Sequence, residues 1–324
     1  MVLEGKVILV TGGTGSFGQK FAEIVLKEHK PKTVRVFSRG ELLQLQMMQK
    51  FNSDPRLRFF IGDVRDRERV HRAMNGVDIV VHAAALKQVP ICEYNPIEGV
   101  RTNVDGTVNV INAAIDNKVE KTLAISSDKS VQPVNLYGAT KLVMERLFVQ
   151  ANVYTGSGKT RFSCVRYGNV VGSRGSVIPL FLEQKKTGTI TITDERMTRF
   201  WITLEQGVRF VIDSIERMRG GEVFVPKIPS MKVTDLARTV APGAKRQIIG
   251  IRPGEKMDEV LLTAEESSHS LEFNNYYIVC PEHDFWDTSK IKGGKQVTPG
   301  LKYSSDNNSK WLTPEELKKM IGAI

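Results

Sequence analysis

Cysteine is scarce: the 324 residues contain three, Cys92, Cys164 and Cys280, scattered along the chain and with no CxxC pair. The five histidines are not clustered either, so the sequence supports neither a disulfide framework nor a zinc site, and no metal is expected. No apolar run reaches membrane-spanning length, and MVLEGKVILV lacks the charged region and cleavage site of a signal peptide; the expectation is a cytoplasmic protein with no membrane association. Internal repeats and low-complexity tracts are missing as well. Charge is plentiful, with a net +10, but the basic residues are dispersed and no helix-turn-helix, finger or aromatic RNA-binding signature organises them. No nucleic-acid partner is expected, and an acidic small ligand fits the charge equally well. At 41% hydrophobic and 25% charged, the chain is long enough for a full core and a second lobe.

What is present begins with KVILVT (6 to 11), a short β-branched run that passes into GGTGSFG and then into a helical pattern with Phe17, Phe21, Ile24 and Val25 on one face. Gly12, Gly15 and Gly18 fit GxxGxxG, and Gly13, Gly15 and Gly18 fit GxGxxG. Such small residues let backbone N–H groups and a helix N-terminus approach a pyrophosphate, although alone they are also ordinary turn residues. TVRVFSR (33 to 39) supplies a second strand at the distance where a dinucleotide fold senses its ribose. It ends in Ser38 and Arg39; the arginine favours a 2′-phosphate and hence NADP, while Glu41 keeps NAD open. LRFFIGDV (57 to 64), VDIVVHAAA (77 to 85), a helix around Asn103 to Asn117, KTLAISS and TRFSCVRYGNVVG (160 to 172) continue the alternation, which predicts an α/β fold with a Rossmann-like doubly wound parallel sheet.

From about residue 170 the alternation weakens, with prolines between shorter elements such as TITIT (189 to 193), LEQGVRFVIDSIERM (204 to 218) and EVFVPK (222 to 227). The expected division is a dinucleotide-binding domain over 1–170, to which 200–225 return, and a smaller C-terminal α/β substrate lobe over most of 171–324. WLTPEELKKMIGAI predicts a terminal helix capped by Thr313 with Pro314 at its first position and Glu316 at its third.

The densest chemistry lies in SSDKSVQPVNLYGATK (126 to 141). Tyr137 and Lys141 share a helix face, where an ammonium lowers a phenol's pKa and makes an acid/base pair. Asp128 and Lys129 follow a buried strand that delivers them to the sheet's carboxyl edge, where open α/β sheets bind ligands.

TGGTGSFG followed at distance by YGATK resembles the extended short-chain dehydrogenase/reductase family, most of whose members act on nucleotide sugars. SSDKSVQPVNLYGATK, RYGNVVGSRGSV, MTRFWIT, FVPKIPSMK and IGIRPGEK narrow the resemblance, over almost the whole chain, to the inverting UDP-N-acetylglucosamine 4,6-dehydratases that begin pseudaminic acid synthesis for flagellin glycosylation. Enzymes that retain C5 configuration usually carry Asp-Glu where this chain has Asp128-Lys129, membrane-bound relatives carry Met in place of Tyr137, and Ser127 stands where threonine is commoner.

The resemblance implies C4 oxidation with Tyr137 taking the proton and Lys141 holding the nicotinamide ribose. Water is then eliminated across C5 and C6, with Lys129 as base and Asp128 as acid, and hydride returns to C6. That role for Lys129 predicts a lowered pKa, from partial burial and nearby cations. It further implies Gly15, Ser16, Phe17 and Gly18 at the pyrophosphate, Arg39 at the 2′-phosphate, and Asp63 and Val64 at the adenine. Ala83 and Asn103 would lie on the cofactor's path. Lys87 would meet cofactor or sugar, and Asn169, Val177, Arg199, Arg252 and Glu255 the UDP-sugar. Taken singly, Lys87, Arg199 and Arg252 read as solvated or ion-paired side chains and Asn169 as a loop-backbone partner; only the resemblance makes them ligand contacts. It also implies a homo-oligomer, a hexamer. The alternatives are a 4-epimerase, which needs no C5 base or C6 acid, and a non-catalytic NADP-binding module.

Overall fold

In a computed structural model that describes residues 2–156, 158–173, 176–282, 286 and 291–322, strands and helices alternate through the first half of the chain. The first half runs β1 (Val7–Thr11), α1 (Ser16–Glu28), β2 (Thr33–Ser38), α2 (Glu41–Lys50), β3 (Leu57–Ile61), α3 (Arg67–Met74) and β4 (Ile79–His82). Two short helices follow, α4 (Val89–Tyr94) and α5 (Pro96–Val100), then a π-helical turn Arg101–Asp105 that leads into α6 (Gly106–Asp116), β5 (Lys121–Ile125), α7 (Leu136–Tyr154) and β6 (Arg161–Val165). Beyond these come β7 (Asn169–Val170), α8 (Val177–Lys185), β8 (Thr189–Ile192), β9 (Thr198–Ile202), α9 (Leu204–Arg217) and β10 (Val223–Pro226).

The main sheet has the order β3-β2-β1-β4-β5-β6-β10, with every one of these pairs parallel. The order reverses between β1 and β4, which opens a crevice at the carboxyl edge of those two strands. Strands buried on both faces need continuous apolar runs, and β1 and β4 are buried at every position.

The division expected at residue 170 does not describe how the strands are shared. In the structure α9 buries Val208, Val211 and Ile215 and packs against α1, and β10 joins the main sheet beside β6. Tyr276–Val279, Ser270–Glu272 and Lys295–Gln296 extend the same sheet antiparallel beyond β10. The physical reason is the edge of β10, whose backbone groups need partners that the apolar run YYIV supplies. The smaller lobe is thus discontinuous. It holds β7, β9 and Ser230–Lys232 in one small sheet and β8 with Lys245–Ile248 in another, around Ile178, Phe181, Ile190, Trp201 and Leu236. The terminal helix Pro314–Gly322 begins as expected: Glu316 N–H donates to Thr313 Oγ1 at 3.2 Å and Thr313 N–H to Glu316 Oε2 at 2.9 Å.

Candidate active site

Gly12 follows β1 with φ +66°, and a Cβ there would lie 3.0 Å from the backbone of Ala84. A Cβ at Gly18 would lie 2.3 Å from the Gly13 carbonyl oxygen. The two glycines therefore let the turn hug β4 and let α1 pack against the turn, while Gly15 serves as the helix N-cap. The Thr11 hydroxyl accepts from the Ala83 and Ala84 N–H groups, both at 3.1 Å, and lies 2.8 Å from Nδ1 of the buried His82. The alanine run is pinned against the glycine turn. This small-residue cradle at a helix N-terminus, which a Cβ would fill, suits a dinucleotide pyrophosphate.

A cavity of about 560 Å³ runs from the cradle, past Gly12, Gly15, Ser16, Phe17 and Ala83, to Asp128, Lys129, Tyr137 and Lys141. A second, of about 570 Å³, is lined by Arg199, Arg252 and Glu255. Lys87, Lys129, Asn169 and Val177 line both, so the two meet at Lys129.

At the junction the chain makes one 3₁₀ turn, Asp128–Ser130, before Asn135 caps α7 by accepting from the Gly138 N–H at 2.7 Å. Asp128 is 1% exposed; its Oδ1 accepts from Ser127 Oγ at 2.8 Å and from Lys129 Nζ at 3.0 Å, and its Oδ2 has no partner among the described residues. Lys129 Nζ also lies 3.2 Å from Oε1 of Glu259, which is 3% exposed. The expected lowering of the Lys129 pKa does not hold. Burial pulls it down, but Asp128 and then Glu259 outweigh burial and the repulsion of Arg199, so the ammonium is held above its ordinary value.

Tyr137 differs from expectation too. Burial pushes its phenol up to about 12, and the cation that opposes burial is Lys129, aided by the Ser127 hydroxyl, rather than Lys141. Lys141 is itself brought down to about 8 by burial, against Cys164 and Glu145, and donates to the Ile125 carbonyl at 2.7 Å.

Of the other expected positions, some stand off the cavities and some line the second one. Asn103 is buried in the π-helical turn, with Oδ1 accepting from the Leu86 N–H and Nδ2 donating to Leu86 O and Thr140 Oγ1; it ties the loop after β4 to α7 and lines neither cavity. Ser38 is buried and hydrogen-bonded to Gln44. Arg39 is 58% exposed at the end of β2, 3.8 Å from Asp63, which also pairs with Arg65. Val64 packs under Gly106. Arg199 lines the second cavity but donates to the carbonyls of Thr198, Lys256 and Met257, so its hydrogen bonds frame the loop ahead of Glu259. Arg252 is 3.9 Å from Glu255, whose Oε2 is buried without a hydrogen-bond partner among the described residues.

Two residues escaped the sequence reading. Glu259 carries no local signal, being brought to Lys129 only by the tertiary fold. Gly138 lies inside the motif: a Cβ there would meet the Lys129 carbonyl oxygen at 2.1 Å, so only glycine lets the 128–130 turn seat on α7.

Sheet order and glycine turn define a Rossmann-fold protein of the short-chain dehydrogenase/reductase class. Within that class the chain belongs to the family described as polysaccharide biosynthesis protein, which matches residues 8–281. It is 51% identical to the UDP-N-acetylglucosamine 4,6-dehydratase (inverting) of Campylobacter jejuni strain 81-176, over 99% of this chain and 98% of that one. It is 42% identical to the UDP-glucose 4-epimerase of Rickettsia akari, over 98% and 95% of the two chains. Among solved structures, Pen from Bacillus thuringiensis superimposes with a TM-score of 0.91 at 41% identity, covering all of both chains. No described helix is long and apolar enough to cross a membrane.

Proposed function

We propose that the chain is an NADP-dependent, inverting UDP-N-acetylglucosamine 4,6-dehydratase, a hydro-lyase. The observation that carries this reading is the ion pair of buried Asp128 with partly buried Lys129, beside Tyr137 where the two cavities meet. C4 redox chemistry alone has no use for a second acid and base. The likeness to the Campylobacter jejuni enzyme supports this substrate and an inverting course.

Gly12, Gly15, Ser16 and Phe17 would hold the pyrophosphate, Lys141 the nicotinamide ribose and Arg39 a 2′-phosphate; the chemistry such a cofactor supplies is reversible hydride acceptance. Tyr137 Oη takes the proton of the C4 hydroxyl, and Lys129 and Ser127 offset part of the cost of a buried phenolate. The C4 ketone acidifies the hydrogen on C5. Transfer of one proton from Lys129 Nζ to Asp128 then produces both groups that elimination needs, an amine for the C5 hydrogen and a carboxylic acid for the C6 hydroxyl. The amine gains the C5 proton, the acid gives its proton to the departing water, and the ion pair is restored. Covering by substrate favours that first transfer, because a buried ion pair loses solvation that a neutral pair does not need. A proton reaching C5 from the opposite face inverts the centre.

The product would enter pseudaminic acid synthesis for flagellin glycosylation, a placement supported by the resemblance. The exposed Ile91, Tyr94 and Ile97 on α4 and α5 support a homo-oligomer. Incubation with UDP-N-acetylglucosamine in deuterated buffer, followed by NMR, tests the reading. The expected product is a 4-keto sugar with a 6-methyl group, inverted at C5 and deuterated there. A product that keeps its 6-hydroxyl would establish the 4-epimerase reading instead, which the Rickettsia akari relative favours.

A further inference from the structure

We propose that Glu259 is the positioning residue for Lys129: its buried carboxylate clamps the ammonium opposite the pull of Asp128 and governs when that proton moves. The inference rests on the dehydratase reading for its catalytic consequence, but the clamp itself is geometric. Glu259 Oε1 lies 3.2 Å from Lys129 Nζ, and its Oε2 has no hydrogen-bond partner among the described residues. Burying a carboxylate with one oxygen unfilled carries a desolvation cost that an apolar residue lining the same wall would avoid.

The other cations nearby do not satisfy it. Arg199 comes no closer than 3.9 Å and donates to three backbone carbonyls; Lys256 is 3.8 Å away and donates to Val131 O at 2.5 Å. Those same bonds fix the loop: Arg199 holds the carbonyls of Lys256 and Met257, Lys256 ties the loop to the segment after Ser130, and the Glu259 N–H donates to Ser305 Oγ at 2.9 Å. Lys129 is therefore the nearest cation to a rigidly mounted carboxylate. The groups that act on Lys129 are Asp128 and Glu259 as anions and Arg199, Lys256 and Lys87 as cations, with the Tyr137 phenol alongside.

Two carboxylates compete for one proton. With Glu259 in place the resting state is an ammonium aimed between them, and when the proton passes to Asp128 the amine still has Glu259 as an acceptor for one N–H, which keeps Nζ from turning away. Replacing Glu259 by glutamine keeps size and hydrogen bonding but removes one anion, so the neutral amine forms at lower pH.

The test reads Lys129 directly. The rate at which an amine-acylating reagent labels Lys129, followed by peptide mass spectrometry across pH 7 to 10, reports the neutral fraction and needs no substrate. In the unsubstituted protein Lys129 is expected to label far more slowly than an exposed lysine such as Lys302, and E259Q is expected to label about tenfold faster or more at each pH. E259D, which keeps the charge, should restore slow labelling. In parallel, the pH limb of C5 deuterium exchange on UDP-N-acetylglucosamine should move to lower pH in E259Q. Equal labelling in the unsubstituted protein and E259Q, or E259D behaving as E259Q does, overturns the inference. If E259Q does not fold, Lys129 labelling like Lys302 in the unsubstituted protein overturns it alone. Absence of any C5 exchange by the unsubstituted protein refutes the dehydratase reading, while the labelling still decides the clamp.

Discussion

Lys141 is buried and Lys129 is partly buried, with a quarter of its side chain exposed, yet their surroundings send them in opposite directions. Lys129 sits between two carboxylates and is held as an ammonium; Lys141 has no carboxylate within bonding distance among the described residues and is brought down to about 8. Replacing Lys129 with alanine should leave dinucleotide binding unchanged and lower turnover by about 10²- to 10⁴-fold with loss of C5 deuterium incorporation, as read by fluorescence titration and NMR; retained incorporation would remove Lys129 from the base role. Lys141 makes a different prediction. Its folded pKa lies below its unfolded value of 10.5, so between about pH 8 and 10.5 the unfolded chain binds more protons, and stability rises with pH across that window. Relative to Lys141→Met, the unsubstituted protein should therefore gain about 2 kcal/mol in urea unfolding between pH 8 and pH 10. A constant difference would place the Lys141 pKa elsewhere. Tyr137, Lys141 and the Asp128-Lys129 pair were legible in the sequence because each depends on local spacing. Their protonation was not, because it is set by Glu259 and by burial, which no local pattern encodes.

The elements were legible wherever periodicity is strong. TVRVFSR became β2, EVFVPK became β10 and LEQGVRFVIDSIERM became α9, because alternation or a 3.6 period fixes which face is buried. The 3₁₀ turn at Asp128–Ser130 was not legible, nor was the cap of α7, which is Asn135. What holds that turn on the helix is the missing side chain of Gly138, against which the Lys129 carbonyl rests. Gly138→Ala relieves helix entropy but puts a Cβ 2.1 Å from backbone oxygen, so the turn must move. The expected result is a loss of about 1–3 kcal/mol in stability together with a fall in turnover well beyond any change in dinucleotide affinity, since the displaced groups are Asp128 and Lys129. Measured kcat and urea midpoints check this, and a Gly138→Ala enzyme with full turnover would show that the turn's seat on α7 is not what aligns the pair.

At the scale of the molecule, strands from the second half complete the first half's sheet, a pairing of distant segments that sequence order does not reveal. A buried charge network sits at the same seam. Arg166, at the end of β6 and 3% exposed in its side chain, donates to both oxygens of Glu145 on α7, to both oxygens of Glu266, and to the Leu261 carbonyl. Glu145 in turn accepts from Ser130 Oγ at 2.7 Å, so the network joins the active-site turn, α7, the main sheet and the C-terminal segment that carries Glu259. Such a cluster adds little net stability over an apolar replacement of all its members, but removing Arg166 takes the hydrogen-bonded cation from buried Glu145 and partly buried Glu266. Arg166→Leu is therefore expected to cost about 3–5 kcal/mol in urea unfolding, whereas Arg166→Leu combined with Glu145→Leu should recover part of that loss. Because Glu266 and Leu261 lie on the segment following Glu259, the single variant should also speed acylation of Lys129 at fixed pH. Destabilisation without any change at Lys129 would confine the network to holding the fold and leave the position of Glu259 to Arg199 and Ser305.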